Sequence, residues 1–330
     1  MSKNIVRHSI KIHFIVLIIL ALPVIPAMAW NNVGHRAIAE LAWRRMDKNE
    51  RHAASELLKQ HPHYKLLLAV NVPAGVDTNE WVFISAAVWP DWVRPAKVGQ
   101  HEKPESITKY DLYPHAVGYP FLGIGETNRA LLENFYIAKP NAEMVLANSI
   151  ATLKNPKASA HDRAVSLCWT LHLFGDLHQP LHAANVVTTK RPRGDRLGGN
   201  HFVLNSSGKK IDMHSFWDQL PGTDPSYKSV ASVADKVSDD PQLKSSALPE
   251  YQKNKTISAW VQESFRIAVD FSYSPQHVQF VHNDDLESGK ISSSAIPVLS
   301  AEYVDEARKI ALRRVALAGH RLTDELKKVF

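Results

Sequence analysis

The hydrophobic residues of this chain recur mainly at spacings of three and four, the period of amphipathic helices. Ala37, Ile38, Leu41, Ala42 and Arg45 set the period of a helix predicted to run to about Lys59. An apolar run over residues 80–95 ends in Trp89-Pro90-Asp91-Trp92, and residues 111–120 form an extended, proline-punctuated segment. A long helical pattern from Gly125 to Leu153 is interrupted at Pro140 and stopped by Pro156. The next apolar run begins at Ala164, carries His172, Asp176 and His178, and loses its helix at Pro180, just before His182.

One stretch follows a different period. Residues 201–205 and 210–213, joined by a turn at Ser207-Gly208, predict a β-hairpin. His214 to Asp218 then start a short helix that Pro221 terminates. Residues 222–255 are rich in Ser, Pro, Asp and Lys, with a moderate helical pattern at Val230, Val233 and Val237, and read as a surface excursion. Trp260 to Phe271 and Ser300 to Leu326 are amphipathic helices. Tyr303, Ala307, Ile310, Ala311, Val315, Ala318 and Leu322 form the core-facing stripe of the last. Without an internal repeat or a second composition class, the expected fold is all-α. It is a single, mainly helical domain over residues 30–330 with a small hairpin near 201–213.

Composition changes this picture only at one end. With 330 residues, 45% hydrophobic and 22% charged, the chain is ordinary globular protein. The first 29 residues differ: Lys3, Arg7 and Lys11, apolar Ile12 to Val24, then Ala27-Met28-Ala29. That is the pattern of a secretory signal peptide cut after Ala29, its apolar run short of a full membrane span. Trp30 would become the mature N-terminus of a secreted or periplasmic protein. Loss of those three positive charges lowers the formal net charge from +6 to +3, which permits an anionic substrate without demonstrating one. Cys168 is the only cysteine, so no intramolecular disulfide forms. Its neighbours Val165, Leu167 and Leu171 suggest a buried, inert thiol.

The candidate chemistry lies in histidines and aspartates. His172 and Asp176, four apart, share one face of a helix. In apolar surroundings that pair is costly without a partner, and a divalent metal suits it. His182 returns toward the same region, and His214 and Asp218 repeat the spacing. His35 starts a helix beside the α-amine that cleavage would free at Trp30. Asp91, fenced by Trp89, Pro90 and Trp92, needs a cation, either Arg94 or a metal. His115 is ambiguous by itself. Together Trp30, His35, Asp91, His115, His172, Asp176, His182, His214 and Asp218 are an all-N/O set that suits Zn²⁺, with Mn²⁺ or Fe as alternatives. They exceed one tetrahedral site and could fill two or three, an arrangement suited to phosphoryl transfer. The basic, glycine-bearing loop from Lys190 to Asn200 could cradle a phosphate or be a plain surface loop.

Several motifs now stand in a fixed order: Trp30 at the new N-terminus, Gly34-His35, Trp89-Pro90-Asp91, His172-x3-Asp176-x-His178-Gln179-Pro180-Leu181-His182, Gly198-Gly199-Asn200, and His214-Ser215-Phe216-Trp217-Asp218. Over essentially the whole mature chain this resembles the zinc-dependent nuclease family of the S-one and P-one type. A more distant resemblance is to bacterial zinc-dependent phospholipases C. The resemblance implies their shared helical fold and three zinc ions. One would be held by Asp91, His115, His172 and Asp176. A second, sharing Asp176, would take His35 with the amine and carbonyl oxygen of Trp30. The third would be held by His182, His214 and Asp218. It further implies a hydroxide between the paired zincs attacking phosphorus, while the third zinc stabilises the departing 3′-oxygen. Arg94 would contact the phosphoryl group and Asn200 would position it. The implied substrates are single-stranded RNA and DNA, cut to 5′-nucleotides, with 3′-nucleotidase activity alongside. No protein partner is implied, and a monomer is expected.

The chain also departs from that pattern. Ala116 stands where fungal members place a base-stacking aromatic residue, leaving Tyr113 or Tyr119 as candidates. The disulfides of eukaryotic members cannot form. His178 has no ligand role and is expected to make a supporting hydrogen bond, while His61, His63, His101, His161, His277, His282 and His320 are left as ordinary histidines. A phospholipase C-type phosphodiesterase is the alternative. Against it stand Asp218, where those lipases carry glutamate, and the lack of an obvious lipid-binding stretch. A non-catalytic metal-binding surface protein is disfavoured by the complete ligand set.

Overall fold

A computed structural model describes residues 30–96 and 100–330, so the expected leader over residues 1–29 lies outside the described residues. The chain enters helix α1 (Asn32–Arg45) through Asn31, whose side chain accepts from the Val33 and Gly34 amides. The helix expected to reach Lys59 is in fact two. α1 stops at Met46, and Asp47 opens α2 (Lys48–Leu58) with a capping box completed by Glu50. The apolar period continues across that break, so periodicity alone does not reveal it. α3 (Thr78–Ala86) leads into the single turn α4 (Trp89–Trp92). Pro90 lies in the first turn of α4, where a missing N–H costs no helical bond.

The pattern between Gly125 and Leu153 yields one turn at Ala130–Glu133 and then α5 (Ala142–Lys154), capped by Asn141 directly after Pro140. α6 (Ala160–Asp176) is capped by Ser159 and followed, across a short turn, by α7 (Pro180–Ala183). Strands β1 (Tyr119–Leu122) and β2 (Ala184–Val187) pair in parallel, an element that the extended segment before Pro120 only hinted at. The hairpin is present as β3 (His201–Leu204) and β4 (Lys210–Asp212), with β5 (Val281–His282) added to the other edge of β3. Then come α8 (Met213–Asp218), α9 (Tyr227–Asp239), α10 (Ile257–Ile267) and α11 (Ala301–Leu326). The fold is mainly helical with a few short strands.

Residues 222–255 are not the expected excursion. Val230, Val233, Ala234 and Val237 form a buried stripe on α9, which packs against α1. The polar residues that suggested a surface loop occupy the opposite side. α1 also lies along α11, and Gly319 sets how closely: a Cβ there would fall 2.9 Å from Leu41 Cβ. Leu41 is fully buried in that contact, and its truncation to alanine costs about 2–5 kcal/mol.

Two hydrophobic clusters organise the interior. The larger gathers α1, α3, α5, α6, α9 and the C-terminal half of α11. The smaller contains Leu181, Ala184, Val203, Met213, Trp217, Tyr273, Tyr303 and Ala307. α11 reaches into both. His35, Asp91, His172 and Asp176 are carried by elements of the first cluster, and His182 and His214 by elements of the second.

Candidate metal centre

His172 and Asp176 occupy the last turn of α6, fully buried. His172 Nδ1 is 2.8 Å from the Ala87 carbonyl, which can only accept, so Nδ1 carries a proton and Nε2 is the nitrogen turned toward the aspartates. That Nε2 lies 3.1 Å from Asp176 Oδ2, 2.7 Å from His115 Nδ1 and 3.9 Å from Asp91 Oδ1. Asp176 Oδ2 is also 3.3 Å from His115 Nδ1, while Oδ1 is 3.4 Å from His35 Nε2. One carboxylate therefore faces two groups of imidazoles. His35 stacks on His172 with ring centroids 4.0 Å apart. Gly175 makes the room, since a Cβ there would sit 2.6 Å from His35 Nδ1.

The second His–Asp pair converges on His182. His182 Nδ1 donates to the His115 carbonyl and His214 Nδ1 to the Leu197 carbonyl, each at 2.8 Å. The two Nε2 atoms consequently turn toward each other, 3.2 Å apart. Burial holds the His182 pKa down to about 3, so this ring stays neutral and presents a lone pair at Nε2. A cation between the two nitrogens would draw on it. Burial, with other carboxylates nearby, raises the Asp218 pKa, so its Oδ2, 3.4 Å from His214 Nε2, would carry the matching negative charge once a cation is bound.

Ligand atoms fall within 4.8 Å of one another in three groups: His35, Asp91 and His172; His115, His172 and Asp176; and His182, His214 and Asp218. Buried atoms without a hydrogen-bond partner concentrate here: both ring nitrogens of His35 and all four oxygens of Asp91 and Asp176. Buried carboxylates in that condition are costly, and divalent metal relieves the cost. Imidazole and carboxylate donors without thiolate fit zinc.

The remaining predicted residues lie around this cluster. Arg94 Nε is 3.5 Å from Asp91 Oδ1 and donates to His115 Nε2 at 3.2 Å, so Asp91 has an arginine and the imidazoles together. Asn200 is buried with its side-chain Nδ2 unpartnered. Trp30 is fully buried, and the following amide, Asn31 N–H, donates to the Asp218 carbonyl at 3.2 Å. The loop before Asn200 is organised around its own Asp195, which accepts from the Val186 and Gly198 amides, and Arg191 is paired with Asp284. Tyr113 is 39% exposed, with its ring edge-on to Trp169, which in turn meets the His115 ring. Tyr119 is instead half-buried and donates to Glu143.

Other residues here escaped the sequence reading. Gln179 is fully buried and donates to Asp218 Oδ1 at 2.8 Å. His63 accepts from the Trp89 indole at 3.0 Å, bracing the turn that carries Asp91. His178 faces away from the metal ligands. Its Nδ1 donates to the Phe174 carbonyl and its Nε2 accepts from Arg321. The position of His178 inside the motif gave no sign of that direction.

A family model described as S1/P1 nuclease matches residues 30–330. The chain belongs to the S1/P1 nuclease family. Among individual relatives, it is 21% identical over 305 residues to "Nuclease S1" of Aspergillus oryzae, covering 89% of each chain. It is likewise 21% identical over 335 residues to "Endonuclease 1" of Arabidopsis thaliana, covering 98% of this chain and 94% of the relative. "Endonuclease 3" of the same plant matches at 21% over 214 residues, or 64% and 61% of the two chains. Membership makes this S1/P1 protein a metal-dependent nuclease, a hydrolase of phosphodiester bonds, with nucleic acid as its substrate.

Proposed function

We propose that this S1/P1 nuclease is an exported, trinuclear zinc endonuclease. It cuts single-stranded RNA and DNA to 5′-nucleotides and also removes 3′-phosphates from nucleotides. The observation that carries the reading is the facing pair of Nε2 atoms on His182 and His214, set near the unmatched carboxylate of Asp176. Asp91, His115, His172 and Asp176 would hold one zinc. Asp176, His35 and the Trp30 terminus freed by cleavage after Ala29 would hold its neighbour. His182, His214 and Asp218 would hold the third.

Bound zinc supplies Lewis acidity there, bringing the pKa of water toward neutrality and offsetting phosphate charge. The protein supplies geometry. The carbonyls of Ala87, His115 and Leu197 hold three imidazoles with Nε2 inward, so no reorientation is needed as substrate arrives. Arg94 places a guanidinium at the mouth of the cluster, where it donates to a non-bridging phosphate oxygen as negative charge grows. Asn200 Nδ2 donates to another. Tyr113, exposed and braced on Trp169, offers a flat face for a base, in place of the aromatic side chain missing at Ala116. An unpaired base reaches such a face more readily than one stacked in a duplex. Because the bond broken is to the 3′-oxygen, a terminal 3′-phosphate suits the same residues.

The test uses mature protein with its N-terminus sequenced and its zinc counted. Single-stranded polymer should yield 5′-nucleotides, and a phosphatidylcholine emulsion should remain intact. Release of phosphocholine without nucleotides would overturn the reading in favour of a phospholipase C activity. An extra residue ahead of Trp30 should lower both zinc count and turnover, and normal values for both would remove the terminal amine from the ligand set.

A further inference from the structure

Gln179 lies in the turn between α6 and α7, between Asp176 and His182, with no exposed surface. Both ends of its amide are engaged. Its Oε1 accepts from the Leu181 N–H, and its Nε2 donates to Asp218 Oδ1 at 2.8 Å. These partners settle the amide orientation, because a backbone N–H requires an oxygen and a carboxylate requires an N–H. The side chain thus joins the turn to a carboxylate 39 residues further on.

We propose that Gln179 is a positioning residue for the His182, His214 and Asp218 triad, an inference that rests on that triad holding zinc. A carboxylate turning freely about its last torsion can offer a metal either oxygen or both. With Oδ1 held by Gln179, Oδ2 is the oxygen kept beside the imidazole pair, 3.4 Å from His214 Nε2. An amide suits this task better than a cation, because it fixes the carboxylate without cancelling the charge the metal needs. The turn that supports it is itself fastened to α11. Arg321 Nη1 donates to His178 Nε2 at 2.8 Å, and Arg314 Nε donates to the His178 carbonyl at 3.1 Å.

The experiment measures zinc count and zinc dissociation constants by competition with a chelator at neutral pH, with kcat as a second readout. Gln179→Leu should weaken one of the three zincs about 10- to 100-fold, the range for loss of a partner behind a ligand, and leave the other two unchanged. Gln179→Met keeps the length of the side chain and a weak thioether acceptor for the Leu181 N–H but offers Asp218 no donor, so the same zinc should weaken. If Gln179→Leu does not fold, Gln179→Met decides the question. Wild-type zinc affinities in Gln179→Met would show that the amide's hold on Asp218 does not matter and would overturn the proposal. A wild-type zinc count that His214→Ala does not lower would instead remove the triad itself, and this role with it.

Discussion

Around the turn from Leu177 to Gln179, two buried clusters of charge lie back to back. On the α11 side, Arg314 donates to the His178 and Trp260 carbonyls, to Ser264 and to Glu263. Arg321 donates to His178, Glu263 and the Glu250 carbonyl. On the α1 side, Asp91 and Asp176 leave all four oxygens without a hydrogen bond, among the imidazoles of His35, His115 and His172. Both clusters are taken out of water by the same helix end. The first carries a counter-charge, Glu263, within the chain, and of the side-chain nitrogens of its two arginines only Arg321 Nε is left without a partner. In the second, the carboxylates of Asp91 and Asp176 exceed the donors around them even with Arg94 at the edge, and divalent metal would supply the balance. Burial of charge therefore separates into structural and functional kinds by whether donors and acceptors match.

The largest effect should come from the functional side. Asp176→Asn removes the carboxylate that faces both imidazole groups. It should cost two zincs and more activity than the ~100-fold lost with an outer partner. Near-normal turnover with full zinc content would break the contrast. Chelation tests the whole cluster: the metal-free protein should lose stability on the order of several kcal/mol, read as a lowered melting temperature. An unchanged melting curve would mean that the unmatched acceptors tolerate each other without metal.

The structural side should respond in stability alone. Glu263→Gln leaves Arg314 and Arg321 buried without their carboxylate and should cost about 3–5 kcal/mol in a denaturant titration, with zinc content unchanged. Loss of zinc in that variant would show that the clusters are not separable. A smaller effect is its pH signature. Burial raises the Glu263 pKa, but Arg321 and Arg314 outweigh it and hold the carboxyl down to about 2 from an ordinary 4.5. Its contribution is full above pH 4.5 and lost as pH falls toward 2, so Glu263→Gln should flatten that part of the acid limb in chelated protein. Identical limbs in the two proteins would count against the ion pairs.

How far all this was legible depended on whether a residue's role is local. His172–Asp176 and His214–Asp218 declare themselves by helical spacing, and Ser300–Leu326 by its stripe. Arg314 and Arg321 lie seven apart within that same stripe, a signal of buried charge that the apolar residues around them masked. Asp47 and Glu50 spelled a helix start, but the continuing apolar period overrode it. Residues 222–255 misled because composition averages both sides of a helix, while Val230, Val233, Ala234 and Val237 bury only one. Gln179 and His63 could not be found, since each acts on a partner brought near by the fold: Asp218 in one case, Trp89 in the other.

The contact between Asn31 and residues 218–222 also sets a timetable. The Asn31 amide is satisfied by the Asp218 carbonyl and its side chain by the Gly222 carbonyl, 191 positions away. As the polypeptide lengthens, His35, Asp91, His172 and Asp176 all exist before the segment that anchors Asn31 has been made. Such distant closures are slow, because loop entropy is lost before the contact repays it. The centre is thus completed by a nearly finished molecule, and a chain interrupted before Asp218 lacks both carbonyls that hold Asn31.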